Sequence, residues 1–143
     1  MHEDLVPPDE LSDEQKKQIT DFQTEWDVVQ HLKRSGHDVK KLGVYSDLNV
    51  IKQAIQDFTP HLAFNLLEEF NGVTLYDQHV VSFLELLQLP YTGCNPHGLT
   101  LCRDKGLCKK ILSYHRIPTP AFFVVPRGPI PAFLENLYAS SFF

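Results

Sequence analysis

The sequence predicts an α/β protein, an open Rossmann-like parallel sheet with helices on both faces. Segments with apolar residues at three-and-four spacing alternate with short apolar runs, and that alternation is the pattern of strand–helix–strand units wound right-handedly. The runs are nearly continuous, as in His61 to Leu67, which suits strands buried on both faces. The chain has 143 residues, 43% hydrophobic and 22% charged, enough apolar mass to bury the core of one domain.

Taken in order, His2 to Leu11 is acidic, contains Pro7-Pro8 and reads as a loop. Ser12 and Gln15 form a capping-box signature. The helix they open carries Ile19, Phe22, Trp26, Val29 and Leu32 on one face and stops at Gly36. Val39 to Tyr45 is predicted as a strand. Asp47 then caps a second helix with Leu48, Ile51, Ile55 and Phe58 as its buried stripe, ended by Pro60. His61 to Leu67 is the next strand. Asn71-Gly72 is a turn signal, with a ligand contact as its alternative. Leu75 to Gln88 forms a third helix that turns Tyr76, Val80, Phe83, Leu84 and Leu87 inward.

Pro90-Tyr91-Thr92-Gly93 and Asn95-Pro96 punctuate the chain rather than extend an element. A further helix opens near Asp104 and reaches His115, with Leu107, Ile111 and Tyr114 on its buried face. Gly106 inside it costs up to ~1 kcal/mol relative to alanine. Ile117-Pro118-Thr119-Pro120 forces extended backbone, and Ala121 to Val125 is β-rich enough for another strand.

Composition narrows the function classes. A formal net charge of −5 argues against a nucleic-acid partner, which needs a basic stripe to release counterions. No apolar run is long enough to cross a bilayer, and Met-His-Glu-Asp is not the start of a signal peptide, so a cytoplasmic location is expected, with no membrane partner. Cys94, Cys102 and Cys108 include no C-x-x-C pair and are expected to be reduced thiols. Together with His97 and His115 they fit no standard zinc spacing, and no metal site is assigned. The phosphate-loop, dinucleotide, nucleophile-elbow and H-E-x-x-H motifs are absent from the sequence. His31, His37, His61, His79 and His115 are scattered, without a positioned partner for acid–base work.

In open α/β sheets the functional edge lies at the carboxyl ends of the strands, here Asn65, Glu68 and Glu69, then Thr92-Gly93. Lys105 falls in the first turn of a helix, where a helix start also receives phosphate, and Lys109 follows one turn later. Lys105 is otherwise an ordinary surface lysine.

Pro90-Tyr91-Thr92-Gly93, Arg103-Asp104-Lys105, the basic helix and Ile117-Pro118-Thr119-Pro120 resemble the end of the N-terminal domain of D-alanine–D-alanine ligases and related ATP-grasp ligases. The likeness extends back through Phe64-Asn65-Leu66-Leu67-Glu68 and Tyr76-Asp77-Gln78-His79, covering roughly Val39 to Arg127. It implies the N-terminal, pre-ATP-grasp part of an enzyme in which ATP phosphorylates a carboxylate and an amine attacks the acyl phosphate, with lysines and magnesium stabilising the charge. Lys105 would contact nucleotide phosphate. Glu68, with Glu3 and Asn65, would line the substrate side, and no catalytic residue is assigned. Glu68 stands where the ligases have a histidine in an A-L-H-G segment, which puts a D-alanine substrate in doubt and suits a substrate ammonium. The alternative is a solvated acid of the Glu68-Glu69 pair.

The resemblance also implies ATP and magnesium as cofactors of the complete enzyme, neither held tightly by this chain alone, a small amino or carboxylate substrate, and room for a homodimer. On that resemblance residues 1–127 are expected to correspond to a partial pre-ATP-grasp domain and 128–143 to an unaligned tail, with the ATP-clamping domain expected to be absent from these residues. A central first strand is expected before His2-Glu3-Asp4-Leu5, so the sheet should lack that strand, with the aromatic tail near Phe142 as a substitute. The chain alone should be inactive. A free-standing α/β small-ligand binding module and an interaction fragment are the alternative readings.

Overall fold

The computed structural model describes residues 1–11 and 19–125. The capping box at Ser12 and Gln15, the side chain of Ile19 and the tail from Arg127 to Phe143 lie outside the described residues. The chain divides into two compact units, Met1–Arg103 and Asp104–Phe143.

In the first unit, α1 spans Gln23–Arg34 behind a short 3-10 turn at Ile19–Asp21. It buries Val29 as its spacing predicts, and it buries Glu25 as well. Gly36, at φ +84°, ends it in the left-handed region that a β-carbon disfavours. The second helix, α2, runs Asn49–Phe58, with Asp47 Oδ1 accepting from the Asn49 N–H at 2.8 Å and Ile51 buried. Thr59 closes α2 at φ +47°, its N–H donating to the Ile55 carbonyl at 2.8 Å. Asn71 and Gly72 both take positive φ between Phe70 and Val73, which bond each other as the two ends of a tight hairpin turn. Next comes α3, Asp77–Leu86, burying Asp77, Val80, Val81 and Leu84. Tyr76, expected inward, is instead exposed, because it closes the 3-10 turn Thr74–Tyr76 ahead of the helix.

The sequence pattern does not announce the next helix, α4 at Pro96–Arg103: Asn95-Pro96, expected to punctuate the chain, starts it. Asn95 is its cap, with Oδ1 accepting from the Gly98 N–H at 2.8 Å, and Pro96 occupies the first position, where a missing N–H costs nothing.

The predicted strands condense into less than a sheet. Among the described residues there are five α-helices and no run of strand, only isolated bridges. Ala63 and Tyr91 form one parallel bridge, with Ala63 N–H donating to the Pro90 carbonyl at 2.8 Å and Thr92 N–H to the Ala63 carbonyl at 3.0 Å. Asn65 would supply the next rung, but its N–H donates to Thr92 Oγ1 at 3.0 Å, so a side chain ends the ladder. Among the described residues Val39 to Tyr45 has one rung with Met1 and a single further backbone bond, the Tyr45 carbonyl accepting from the Asn71 N–H at 2.7 Å, and isolated bonds to two separate segments do not make a ladder. The likeness to ligases described below suggests an α/β domain. Val44, Ile51, Leu67, Val80, Leu84 and Leu89 make the core, joined by Leu42, Ile55, Ala63 and Phe83.

In the second unit, α5 spans Lys105–Tyr114. Its predicted buried face is not buried: Leu107 and Ile111 are about two-fifths exposed (40% and 38%), and Tyr114 is 83% exposed. The helix is turned so that Gly106 meets Val124, where a β-carbon would lie 2.9 Å from Cγ2, and Lys109 Nζ sits 5.2 Å from the Phe122 ring centre. The glycine that weakens the helix on propensity therefore makes room for the chain that follows it. Ala121 to Val125 is not a strand, and Phe123 and Val124 lie largely in solvent.

Candidate functional site

The residues singled out from the sequence fall on three loops of the first unit and on the start of α5. Asn65 ends the bridged segment, and its Oδ1 accepts from the Leu67 N–H at 3.1 Å, bending the chain into the loop that carries Glu68 and Glu69. Glu68 is exposed, and its carbonyl accepts from Arg103 Nη2 at 3.0 Å. Glu3 is exposed on the short turn Glu3–Leu5. No hydrogen bond or ion pair joins the side chains of Glu3, Asn65 and Glu68 among the described residues.

His2 and Arg103 do the joining, and sequence reasoning assigned neither of them. His2 is mostly buried between two acids, with Nε2 3.6 Å from Glu69 Oε1 and Nδ1 3.6 Å from Asp4 Oδ2, and its ring packs edge-on against Tyr45 at 5.3 Å. Glu69 rather than Glu68 is thus the loop acid tied to the N-terminal segment. That segment lies unusually close to its neighbour. A β-carbon on Gly43 would come within 2.8 Å of the Glu3 Cα and of Val6 Cγ2, so only glycine admits the contact.

Arg103 ends α4 and reaches Asp77 at the start of α3, Nη2 at 2.5 Å and Nε at 3.2 Å from Oδ2. Asp77 is 3% exposed, and its hydrogen bonds hold the Arg103 guanidinium even further above its ordinary range, with the Asp77 and Glu68 charges adding to the effect. One guanidinium therefore fixes the base of α3, the end of α4 and the backbone of the Glu68 loop. The signal for it was the arginine of the Arg103-Asp104-Lys105 triplet, whose partner lies 26 residues away and cannot be found by spacing.

The other two members of the triplet belong to the second unit. Asp104 is the cap of α5, its Oδ1 accepting from the Leu107 N–H at 2.8 Å, so its carboxylate is turned into the helix. Lys105 is the first residue of that ten-residue helix and is exposed, with no ion pair among the described residues. An ammonium beside a helix start suits an anion such as a phosphate group. Lys109, one turn later, is engaged with Phe122 instead. For magnesium the described residues offer no cluster of three or more His, Cys, Asp or Glu side chains. Cys94 and Cys102 are exposed thiols, and Cys108 is half-buried.

No helix among the described residues is long and apolar enough to cross a membrane. No family model matches the chain, and no solved structure matches it. Curated relatives do. A D-alanine–D-alanine ligase of Syntrophotalea carbinolica is 36% identical over 101 residues, covering 71% of this chain and 31% of that protein. The D-alanine–D-alanine ligase B of Clostridium perfringens is 28% identical over 98 residues, 68% of this chain and 30% of its own length. That of Moorella thermoacetica is 34% identical over 96 residues, 66% of this chain and 29% of its own. The chain thus spans less than a third of the length of the curated relatives it matches. Over the matched residues, the chain is D-alanine–D-alanine ligase-like.

Proposed function

We propose that this chain forms the substrate-side, pre-ATP-grasp part of an ATP-dependent carboxylate–amine ligase, its sheet being of the open, Rossmann-like parallel kind. The observation that carries the reading is the Arg103-Asp104-Lys105 triplet. Its arginine latches the Glu68 loop, its aspartate caps α5, and its lysine is left exposed at the helix start. The parallel bridge between Ala63 and Tyr91 supports the sheet. Residues 1–127 make up this part, and the ATP-clamping layers with the magnesium carboxylates belong to the remainder of such a ligase.

ATP supplies the phosphoryl transfer that activates a carboxylate for attack by an amine. Lys105 places its ammonium against phosphate oxygen and offsets negative charge there. Glu68, exposed on a loop whose backbone is fixed, offers a carboxylate to a substrate ammonium, and Asn65 sets the bend that presents it. Glu3 lines the same side. The substrate is a small amino or carboxylate compound.

The test uses a full-length ligase carrying this segment. Lys105→Ala should weaken apparent ATP affinity by the ~1.5–3 kcal/mol of a charge-assisted contact, roughly ten- to a hundredfold, while Lys109→Ala changes it little. Equal effects of the two substitutions would remove Lys105 from the site. The chain alone, given ATP, magnesium and mixed amino acids, should release no phosphate above background.

A further inference from the structure

Asn71-Gly72 is the one place in the sequence where an asparagine precedes a glycine, and the ligase reading gives that pair no role. The other asparagines are followed by Val50, Leu66, Pro96 and Leu137. A side chain on the following residue crowds its own backbone nitrogen, and proline has no N–H to lose. Only Gly72 presents an open amide nitrogen behind an asparagine side chain.

The pair forms the tip of the hairpin turn between Phe70 and Val73, and both residues are exposed. Phe70 N–H donates to the Val73 carbonyl at 3.2 Å, Val73 N–H to the Phe70 carbonyl at 3.1 Å, and Asn71 N–H to the Tyr45 carbonyl at 2.7 Å. These bonds anchor the turn and leave its reactive groups out. Neither the Gly72 N–H nor the Asn71 side-chain amide has a hydrogen-bond partner among the described residues. The other described asparagines are engaged: Asn49 Nδ2 donates to Asp47 Oδ1 at 2.9 Å, and the Oδ1 atoms of Asn65 and Asn95 accept from Leu67 N–H at 3.1 Å and Gly98 N–H at 2.8 Å. A β-carbon on Gly72 would meet only the Tyr45 hydroxyl, at 4.0 Å, so the space around this residue is open.

We propose that Asn71 is a site of spontaneous covalent modification: it deamidates through the Gly72 nitrogen, and the isoaspartate product releases the turn that closes the Glu68-Glu69 loop. The Gly72 amide gives its proton to hydroxide and its nitrogen attacks Asn71 Cγ. The N–Cγ bond forms, the Cγ–Nδ2 bond breaks, and ammonia leaves. Water then opens the resulting imide at one of its two carbonyls. Cleavage at Cγ gives an ordinary aspartate, and cleavage at the backbone carbonyl gives isoaspartate, with the chain running through the β-carbon. The sum is one water consumed and one ammonia released. Either product adds a negative charge close to two acids, but only isoaspartate lengthens the backbone of a two-residue turn whose pairing has no room for another atom. Asn71 sits at φ +53°, which aspartate also adopts. The chemistry is independent of the ligase reading, whereas its bearing on a substrate acid at Glu68 rests on that reading.

The experiment holds the purified chain in mildly alkaline buffer beside a free peptide spanning Glu68 to Leu75, until the peptide has converted. Digestion and mass mapping should then show the Asn71 fragment of the protein with hydroxyl exchanged for amine, split into aspartate and isoaspartate forms, ahead of the fragments carrying Asn49 and Asn65. Isoaspartyl methyltransferase should label the second form. Asn71→Gln should abolish the change, and Gly72→Ala should slow it severalfold, because a β-carbon then crowds the attacking nitrogen. Asn71 left intact in the protein overturns the proposal, and so does equal conversion at Asn49 or Asn65. Amide hydrogen exchange at Phe70 and Val73 should quicken about tenfold in the isoaspartate form and stay unchanged in Asn71→Asp. Equal exchange in those two forms overturns the release of the turn.

Discussion

Arg103 holds Asp77 through two nitrogens on one carboxylate oxygen, 2.5 Å from Nη2 and 3.2 Å from Nε, and the second hydrogen of the same Nη2 is donated to the Glu68 carbonyl at 3.0 Å. The acid is 3% exposed and the arginine side chain 38%, so the pair is half in water and its worth lies between the two limits. Arg103→Leu leaves a buried carboxylate without its cation and should lower unfolding stability by about 1–3 kcal/mol, more than an exposed pair and less than a fully buried one. Arg103→Lys should recover only part of this, because a lysine lacks the planar fork. Urea titration of the three proteins measures it, and a loss below half a kcal/mol for the leucine variant would mean that water already carries the Asp77 charge.

Burial holds the Met1 amino group below its ordinary value of 8.0, the Glu25 charge pulling the other way. Between the lowered value and 8.0 the unfolded chain binds a proton that the folded chain does not. Stability from the neutral amine is therefore complete above about pH 8 and is lost as pH falls through the folded value. The urea midpoint should rise from about pH 7 to about pH 8.5. Acetylating the amine keeps its N–H for the Leu42 carbonyl and should flatten that rise; an unchanged slope would assign it to another group.

Gly106→Ala sets two effects against each other. Alanine gains up to ~1 kcal/mol of helix propensity, but its β-carbon would lie 2.9 Å from Val124 Cγ2. Val124 is 61% exposed and can turn aside, so the single variant should gain less than the full amount. With Val124→Ala as background the whole gain should return. The double-mutant cycle reads the difference, and a coupling of zero would deny the contact.

Tyr91 donates its hydroxyl to Glu85 Oε1 at 2.6 Å, and that bond with the neighbouring negative charge pushes the phenol up to about 12. Glu85→Gln should bring the titration back toward 10.0, measured as tyrosinate absorbance with Tyr91→Phe subtracted for the other tyrosines. A phenol that titrates identically in both proteins would show the bond to be absent in solution.

Helices whose ends and faces are both written locally were legible. The apolar stripe of α2 lies between Asp47 and Pro60, and α1 stops at Gly36, where a left-handed φ needs that residue. Asn95-Pro96 was illegible for the opposite reason: the same two residues break one element and start another, and only the Gly98 N–H on Asn95 Oδ1 decides between them. The face of α5 was misjudged because Gly106 and Lys109, rather than Leu107 and Ile111, meet the chain that follows the helix, and spacing within the helix does not show where that chain runs. Strands failed as strands because a ladder is a property of pairs. Val39 to Tyr45 has the composition of a strand, yet among the described residues its backbone bonds only to Met1 and, at Tyr45, to the Asn71 N–H. At the site, Lys105 and Glu68 could be named from the triplet and the loop, whereas His2 and Arg103 act through partners far along the chain.

Gly43 makes one position of this chain intolerant in a way that volume alone does not predict. The atom it excludes would strike the Glu3 backbone, which cannot rotate away as a side-chain tip does. In a saturation library read out by folding, position 43 should return a single codon family. Positions 36 and 93, where a β-carbon meets nothing within 4 Å and only the positive φ must be met, should return asparagine beside glycine. The N-terminal turn bearing His2 and Glu3 is thus secured to the protein by the smallest side chain the genetic code offers.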